Sequence, residues 1–514
     1  MAGSYRMVSA ARRLALIFLR LNPLVNTLDL DYLWVMFKPT PWVKRLIISL
    51  VASFLVSLLF LRGKIDQDFF SFYYIGKGVA NGMNMFRDFA DNKGPVFYIF
   101  FTLLNLIFKD GYLKALIFSS TLLDAISVFL MLELSFSWFK VKPPRSLIKS
   151  TLLISFLVLI QKSFSIGIYR GGVYSETLSF FLLMIALYLQ EKTKDFFSGV
   201  IFCLSIFSRL TFVLLLPIML LRPILKKVGS TPILSFFNGF MFAFLAALFC
   251  LKLSGSLNYF IENVILFNLN YAEVYKSVRW LSFITTAILE TRILIFILGS
   301  ALLILTIIKD KKLKSKENWF LAVLFFLSLA SFIGVAVFDF HHAINFSLFL
   351  TLSCILAYKY SPRVLRGVVY SLFLIFSLIG YAGFLLSPII RNRDIAQVVA
   401  GRLSQIPIEK RYIQIIPHYP EVYLYLNKNS PDRYFQVFFL SKYHNTESLV
   451  HKLRHQNMPN STVRETLFVL INVKSYDKGL TDEYLQNFAK PFKLRLIDVY
   501  SEKGVGMETY VSEI

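Results

Sequence analysis

Between Lys64 and Phe100 the sequence reads KIDQDFFSFYYIGKGVANGMNMFRDFADNKGPVFYIF. Asp66, Asp68, Asp88, Asp91 and Lys93 stand there between two apolar stretches. A carboxylate at a membrane surface can act as a general base toward a hydroxyl. A lysine or arginine beside it can stabilise negative charge that develops in a reaction. Further candidates recur along the chain. The segment QKSFSIGIYRGGVYSE (161–176) carries Arg170 and Glu176, Ser208-Arg209 interrupts a long apolar run, and FDFHH (338–342) carries His341 and His342. A cation placed as Arg209 is costs free energy in lipid and marks a functional site by default. The histidines and scattered carboxylates make no zinc spacing, and the metal requirement stays open. No G-x-G-x-x-G or P-loop pattern is present, so a nucleotide-binding fold is not expected.

The elements that must position these residues are membrane helices. The 514 residues are 56% hydrophobic, 16% aromatic and 17% charged, whereas soluble domains are about 25% charged. Apolar runs of about 18 residues or more recur over 44–386, each long enough for a hydrocarbon core of about 30 Å. In lipid such runs satisfy their backbone only as helices, and no period-2 alternation suggests a barrel. The formal charge of +24 is accounted for by Lys and Arg in cytoplasmic loops and needs no nucleic acid. Cys203, Cys250 and Cys354 all lie in apolar runs and read as core residues. Residues 1–42 are basic and show no signal-peptide pattern.

The basic segments KVKPPR (140–145), EKTK (191–194), RPILKK (222–227), KDKKLKSK (309–316) and KYSPRVLR (359–366), with the N-terminal arm, are placed in the cytoplasm. Spans are then expected near 44–62, 112–137, 148–163, 174–190, 231–252, 286–308, 318–338, 342–358 and 367–387. Residues 95–109 lie at the outer interface or dip in part way. Residues 195–221 must leave and return, yet 27 residues of helix span only about 40 Å. Two short helices with Ser208-Arg209 at the apex fit this length; a single crossing is the alternative. The count is about eleven spans. The outer loops are then 64–95, 161–176, 253–284 and 338–342, so the candidate residues gather on one face. In 390–514, RYIQII and TLFVLINV read as strands, and PEVYLYLNK and DEYLQNFAKPF as helices. The expected organisation is a basic arm (1–42), an all-α polytopic membrane domain (43–389) whose first outer loop is 63–95, and a small extracytoplasmic α/β domain (390–514).

Asp68, the aromatic amphipathic segment after it, Gly82 and then MFRDFADNKGP resemble the first outer loop of bacterial GT-C glycosyltransferases, relatives of protein O-mannosyltransferases and lipid A aminoarabinose transferases. Later elements keep the family's order. YRGGVYSETLSFFLLMIALYL (169–189) resembles its second acidic site opening a span. SGVIFCLSIFSRLTFVLLLPIMLL (198–221) resembles its small-residue span with a mid-segment cation. YFIENVILFNLNYAEVY (259–275) resembles a later outer loop, and FDFHHAINFSLFLTLSCILA (338–357) its His-containing late span. The likeness covers about 44–360 and extends to the outer C-terminal domain. Two departures stand out: Lys93-Gly94-Pro95 in place of Lys-Pro-Pro, and Glu176 where close relatives carry Asp.

The resemblance implies a GT-C-like fold and transfer of a sugar from a polyprenyl-phosphate donor to a lipid, glycan or protein acceptor. It implies a bacterial inner membrane, with site and C-terminal domain facing the periplasm. On that reading Asp68 is the general base, and Glu176 a second carboxylate that orients the acceptor or a divalent metal. Lys93 and Arg209 neutralise donor phosphate, and Asp88 and Asp91 orient Lys93 and the sugar. Arg170 and His342 (or His341) line the cavity. Plainer readings exist for each. Asp68 and Glu176 are also helix-start residues, Lys93 an interfacial snorkelling lysine, and Asp88 and Asp91 turn charges. The rival function is a transporter or flippase of a lipid-linked saccharide, which would carry charges deep in several spans. A non-catalytic relative that holds the C-terminal domain for a partner is the third reading.

Overall fold

The computed structural model describes residues 40–60, 64–65, 67–89, 91–109, 111–144, 147–165, 170–225, 229–266, 268–269, 315–333, 344–360, 392–406, 412–416, 420–426, 466–473, 494–502 and 505–512. Two compact units divide the chain at Ile48/Ser49. The first contributes only the start of helix α1 (Pro41–Phe60) to the described residues.

Three described helices are long and apolar enough to cross a membrane: α1 (its Pro41–Leu58 stretch), α4 (Tyr112–Trp138) and α9 (Ser230–Leu253). Helix α1 has a buried and an exposed side. Ser49, Ser53 and Ser57 recur every fourth residue on the buried side of α1, while Val51, Phe54, Leu55 and Leu58 are exposed. Small residues let membrane helices approach closely, and the outer side meets lipid tails. Helix α4 is buried along most of its length.

Between α1 and α4 lie α2 (Gln67–Ala80) and α3 (Pro95–Phe108). At about 1.5 Å per residue, the 14 residues of α3 reach only about 21 Å. It therefore fits the expected interfacial segment better than a span. Residues Phe69 to Ile75 of α2 are all buried. Its rings pack on α3, with Phe72 edge-on to Phe97 at 4.7 Å and Phe69 to Phe101 at 5.7 Å. Phe70 meets Tyr112 at the start of α4. Gly82 ends the turn after α2 with φ +89, a left-handed conformation that other residues adopt only under strain.

Helix α5 (Leu147–Ser165) leads to α6 (Ser175–Glu191), and α7 (Asp195–Ser208) follows. After a 3-10 turn (Leu210–Leu215) come α8 (Leu216–Leu225) and α9. Phe202 meets Phe236 and Phe240, and Phe207 meets Phe244. Gly199 and Gly239 bring α7 and α9 into backbone contact, where a Cβ would meet the carbonyl oxygens of Phe236 and Phe196. Helix α10 (Leu257–Phe260) and a π turn (Ile261–Leu266) close this part. Helices α11 (Ser315–Ile333) and α12 (Phe346–Tyr360) pack together through Phe325, Phe346 and Phe349. The expected spans 286–308 and 367–387 lie outside the described residues.

Beyond α13 (Asn392–Leu403), strands β3 (Tyr412–Ile416), β4 (Thr466–Val473), β5 (Leu494–Glu502) and β6 (Val505–Ser512) form a sheet in the order β3-β4-β6-β5. Strands β3 and β4 are parallel and the other pairs antiparallel. The sheet is tied to its flank by Arg402 of α13, which donates to both carboxylate oxygens of Asp498 at 2.6 and 3.1 Å. Helix α14 (Pro420–Leu426) lies on α2, where Tyr423 packs on Tyr74 at 5.2 Å. The expected helix in DEYLQNFAKPF lies outside the described residues.

Candidate active site

The site begins with a serine register between α6 and α7. Ser179 Oγ donates to the Ser205 carbonyl at 2.9 Å, and Ser205 Oγ donates back to the Ser179 carbonyl at 2.7 Å. Ser198 Oγ donates to the Ala186 carbonyl and Ser208 Oγ to the Ser175 carbonyl. Partner numbers fall on one helix as they rise on the other, so the helices are antiparallel. That register sets the first turn of α6 against the last turn of α7. Glu176 and Arg209 follow from it: Arg209 Nε lies 3.1 Å from Glu176 Oε1, with side chains only 12% and 4% exposed. The Nε–H is not aligned on that oxygen, so the contact is one of charge. Ser175 Oγ donates to Glu176 Oε2 at 3.0 Å.

Helix α7 stops at Ser208, and Arg209 is extended (φ −146, ψ 114). The break leaves carbonyls without helical partners. The Ser208 carbonyl accepts the backbone N–H of Gly94. The Lys93-Gly94-Pro95 signature is thereby docked onto the break that carries Arg209. Pro95 opens α3 as its first residue, a position where a missing N–H has no cost.

Lys93 Nζ donates to Asn92 Oδ1 at 2.6 Å and stands 5.8 Å from the Phe72 ring, one turn beyond Asp68 on α2. Asn92, rather than either neighbouring aspartate, holds this ammonium. Asp91 Oδ1 accepts the Asn92 amide at 2.5 Å. The Asn92 carbonyl accepts from Asn268 at 3.1 Å. Asn84 donates to the Ser254 carbonyl and accepts from Ser256 Oγ. These bonds hold the first outer loop to the segment after α9.

Asp68 lies in the first turn of α2 and is half-buried. The phenol of Tyr98 connects it to the rest. Tyr98 is 1% exposed, and the charges of Asp91, Asp68 and Arg209 all act on its hydroxyl. Asp91 acts on that hydroxyl most strongly, through its charge and a side-chain hydrogen bond, and Asp68 and Arg209 act on it more weakly.

Other candidates are placed differently. Asp88 accepts Arg87 Nε at 2.8 Å and the Asn84 amide at 2.6 Å, closing the turn of its own loop. Burial pushes its carboxyl up, but the bonds from Arg87 and Asn84 outweigh that and hold it below the ordinary aspartate value. Arg170 lies in a two-residue strand, β2 (Arg170–Gly171), parallel to β1 (Lys64–Ile65), with Lys64 paired to Arg170. This bridge ties the loop before α6 to the first outer loop. His341, His342 and Asp66 lie outside the described residues. Among the described residues no three His, Cys, Asp or Glu side chains gather to hold a metal ion. Tyr98 and the Asn92–Asn268 clasp were not singled out from sequence. An aromatic hydroxyl one turn after the Lys-Gly-Pro signature was the available signal.

No family model matches the sequence, and comparison with curated proteins finds no match. Among solved structures, the chain is similar to ArnT from Cupriavidus metallidurans bound to undecaprenyl phosphate. The alignment covers 92% of this chain and 98% of that one, with a TM-score of 0.52 and 10% identity. The fold is that of ArnT. At this identity the likeness carries architecture, and the GT-C-like arrangement expected from residue order is the one observed.

Proposed function

We propose that this chain is an integral-membrane glycosyltransferase that moves a sugar from a polyprenyl-phosphate donor to an acceptor hydroxyl. The observation that carries the reading is the buried Glu176–Arg209 pair at the α7 break, onto which Gly94, next to Lys93, is docked through the Ser208 carbonyl. A donor of this kind keeps its apolar tail in the bilayer and brings its phosphate to the helix ends. Arg209 and Lys93 stabilise the phosphate as it leaves. Asp68 accepts the acceptor proton while the acceptor oxygen attacks the anomeric carbon. The anomeric C–O bond to phosphate breaks, and the polyprenyl phosphate departs with the bond's electrons. Direct attack inverts the sugar carbon. Glu176 holds Arg209 in place and is the second carboxylate of the site. Support for the donor class comes from the ArnT fold, since that protein was crystallised with undecaprenyl phosphate.

The lipid, glycan or protein acceptor lies on the periplasmic side of an inner membrane, where residues 390–514 form an extracytoplasmic domain beside the 43–389 membrane domain. Arg170 and His342 are assigned to substrate binding. A transporter of lipid-linked saccharides is the second reading, favoured by one observation: Lys162 and Asp124 form an ion pair deep among α5 and α4. Ser120 and Ser57 also accept from Lys162, so the pair is bound up in local contacts. The enzyme reading uses the charges gathered at the loop end instead.

The test is transfer in membranes supplied with radiolabelled undecaprenyl-phosphate sugars, comparing wild type with Asp68→Asn at matched expression. Loss of a general base reduces the rate by about 10²–10⁴-fold. Equal product from both proteins removes Asp68 from the base role. Movement of label across the bilayer, without a new glycosidic product, replaces the enzyme reading with the transporter.

A further inference from the structure

Lys93 is half-buried, and the groups that hold it are neutral. Its Nζ donates to Asn92 Oδ1 at 2.6 Å and stands 5.8 Å from the Phe72 ring. Among the described residues it enters no ion pair, whereas Arg209 is set against Glu176. The carboxylate two positions back, Asp91, is engaged by the Asn92 amide and by Tyr98. Asn92 is itself held from the segment after α9. Asn268 Nδ2 donates to the Asn92 carbonyl at 3.1 Å and to the Val264 carbonyl at 2.6 Å, and Asn92 Nδ2 reaches Asn268 Oδ1 at 3.5 Å. Val264 is fully buried, and Asn263 beside it donates to the Phe86 carbonyl at 3.2 Å. The amide that holds Lys93 is thus anchored to a packed turn.

We infer that Asn92 is a positioning residue, which aims Lys93 at the donor phosphate without neutralising it, and that Asn268 holds Asn92 in place. This rests on the glycosyltransferase reading and adds two residues to its machinery. The residue type at 92 decides the matter. A carboxylate there would accept from Lys93 more strongly than an amide does. It would also cancel the charge that the phosphate needs and set a second anion next to Asp91. The amide oxygen supplies direction and no net charge. An ammonium carries three N–H donors. Asn92 takes one of them, so two are left for phosphate oxygens. Arg209 spends part of its charge on Glu176, which makes the charge of Lys93 the larger attraction for an arriving anion.

The test measures binding of radiolabelled undecaprenyl phosphate to the full chain in phosphatidylcholine nanodiscs. Lys93→Met sets the scale and should weaken binding by about 10-fold or more, the size of a charge-assisted hydrogen bond. Asn92→Ala keeps the charge and loses its hold, and should weaken binding by about 3- to 10-fold. Asn92→Asp should weaken it by more than Asn92→Ala does, although aspartate is the closer match in shape. A purely structural role for Asn92 gives the reverse order. Adding Asn92→Ala to Lys93→Met should cost nothing further, because a residue that acts through another is not additive with it. Thermal midpoints in the same nanodiscs show which variants fold. If Asn92→Asp does not fold, the cycle of Asn92→Ala with Lys93→Met decides, and Asn268→Ala takes the place of Asn92→Ala if that fails too. The inference is overturned, with the donor reading intact, if Lys93→Met is weakened but Asn92→Asp binds at least as well as Asn92→Ala, or if the losses in the cycle add. A Lys93→Met chain that binds like wild type, or a wild type that binds no undecaprenyl phosphate, overturns the phosphate role of Lys93 and this inference with it.

Discussion

The backbone amide of Gly94 donates to the carbonyl oxygen of Ser208 at 3.3 Å, which joins the start of α3 to the break after α7. The approach is so close that a Cβ on Gly94 would stand 1.7 Å from the Phe207 carbonyl oxygen. The obstacle is backbone, so no side chain can rotate away. This gives the departure from Lys-Pro-Pro a physical reason. A proline at 94 would collide with Phe207 and remove the N–H that Ser208 uses.

Gly94→Ala is therefore expected to push Lys93 away from Arg209 and to cost about 1–3 kcal/mol, as overpacking does. Gly94→Pro should be worse, although it restores the signature of the resembled family. Thermal unfolding in detergent and transfer activity would read both. A proline variant as stable and active as wild type would refute this account of the seam.

Asp88 offers a test by pH. Its folded carboxyl binds a proton less readily than an ordinary aspartate, because Arg87 and the Asn84 amide favour the charged form over the opposing effect of burial. The resulting stability is fully present above the unfolded value of about 3.9. It is lost as pH falls through the lower folded value. Wild type should thus exceed Asp88→Asn in thermal midpoint at neutral pH, with the two curves converging in acid. The gap should be small, since Arg87 is largely exposed and such pairs are screened. A difference that stays constant from pH 7 to 3 would mean that the asparagine acts through something other than charge.

These relationships differ in how far the sequence reveals them. The α7 break was legible because residues 195–221 are too few for two full crossings and carry a cation midway. Strands β3 and β4 were legible from their β-branched, apolar runs. Strands β5 and β6 were not, because Asp498, Glu502 and Glu508 break the apolar pattern. The meeting of Glu176 with Arg209 depends on which serines face each other across α6 and α7. Ser179 and Ser205 lie in apolar runs that give no hint of pairing. Tyr98 is hidden for the same reason: its surroundings come from α2, α7 and the loop before α3, all distant along the chain or on other elements. Asp88, by contrast, is engaged by residues within four positions, so its turn role was open to local reading.

Lys162 and Asp124 were not singled out from sequence, and their pairing is a tertiary fact. Lys162 Nζ lies 3.0 Å from Asp124 Oδ2, with side chains 5% and 1% exposed. Counted from the basic loop 140–145, each sits about 14–15 residues into its helix, or roughly 22 Å. Lys162 therefore stands in the last turn of α5, the end that leads to Arg170 and Glu176, while Asp124 stands mid-helix in α4. Removing one partner of a buried pair leaves an uncompensated charge and costs about 3–5 kcal/mol, whereas replacing both with apolar residues is often neutral. Lys162→Met and Asp124→Leu should each lower the unfolding midpoint sharply, and the double variant should recover most of it. Transfer per folded molecule should stay near wild type in the double variant. If the double variant is stable but inactive, the pair does chemistry or moves charge within the membrane, and the transporter reading gains the observation it most needs.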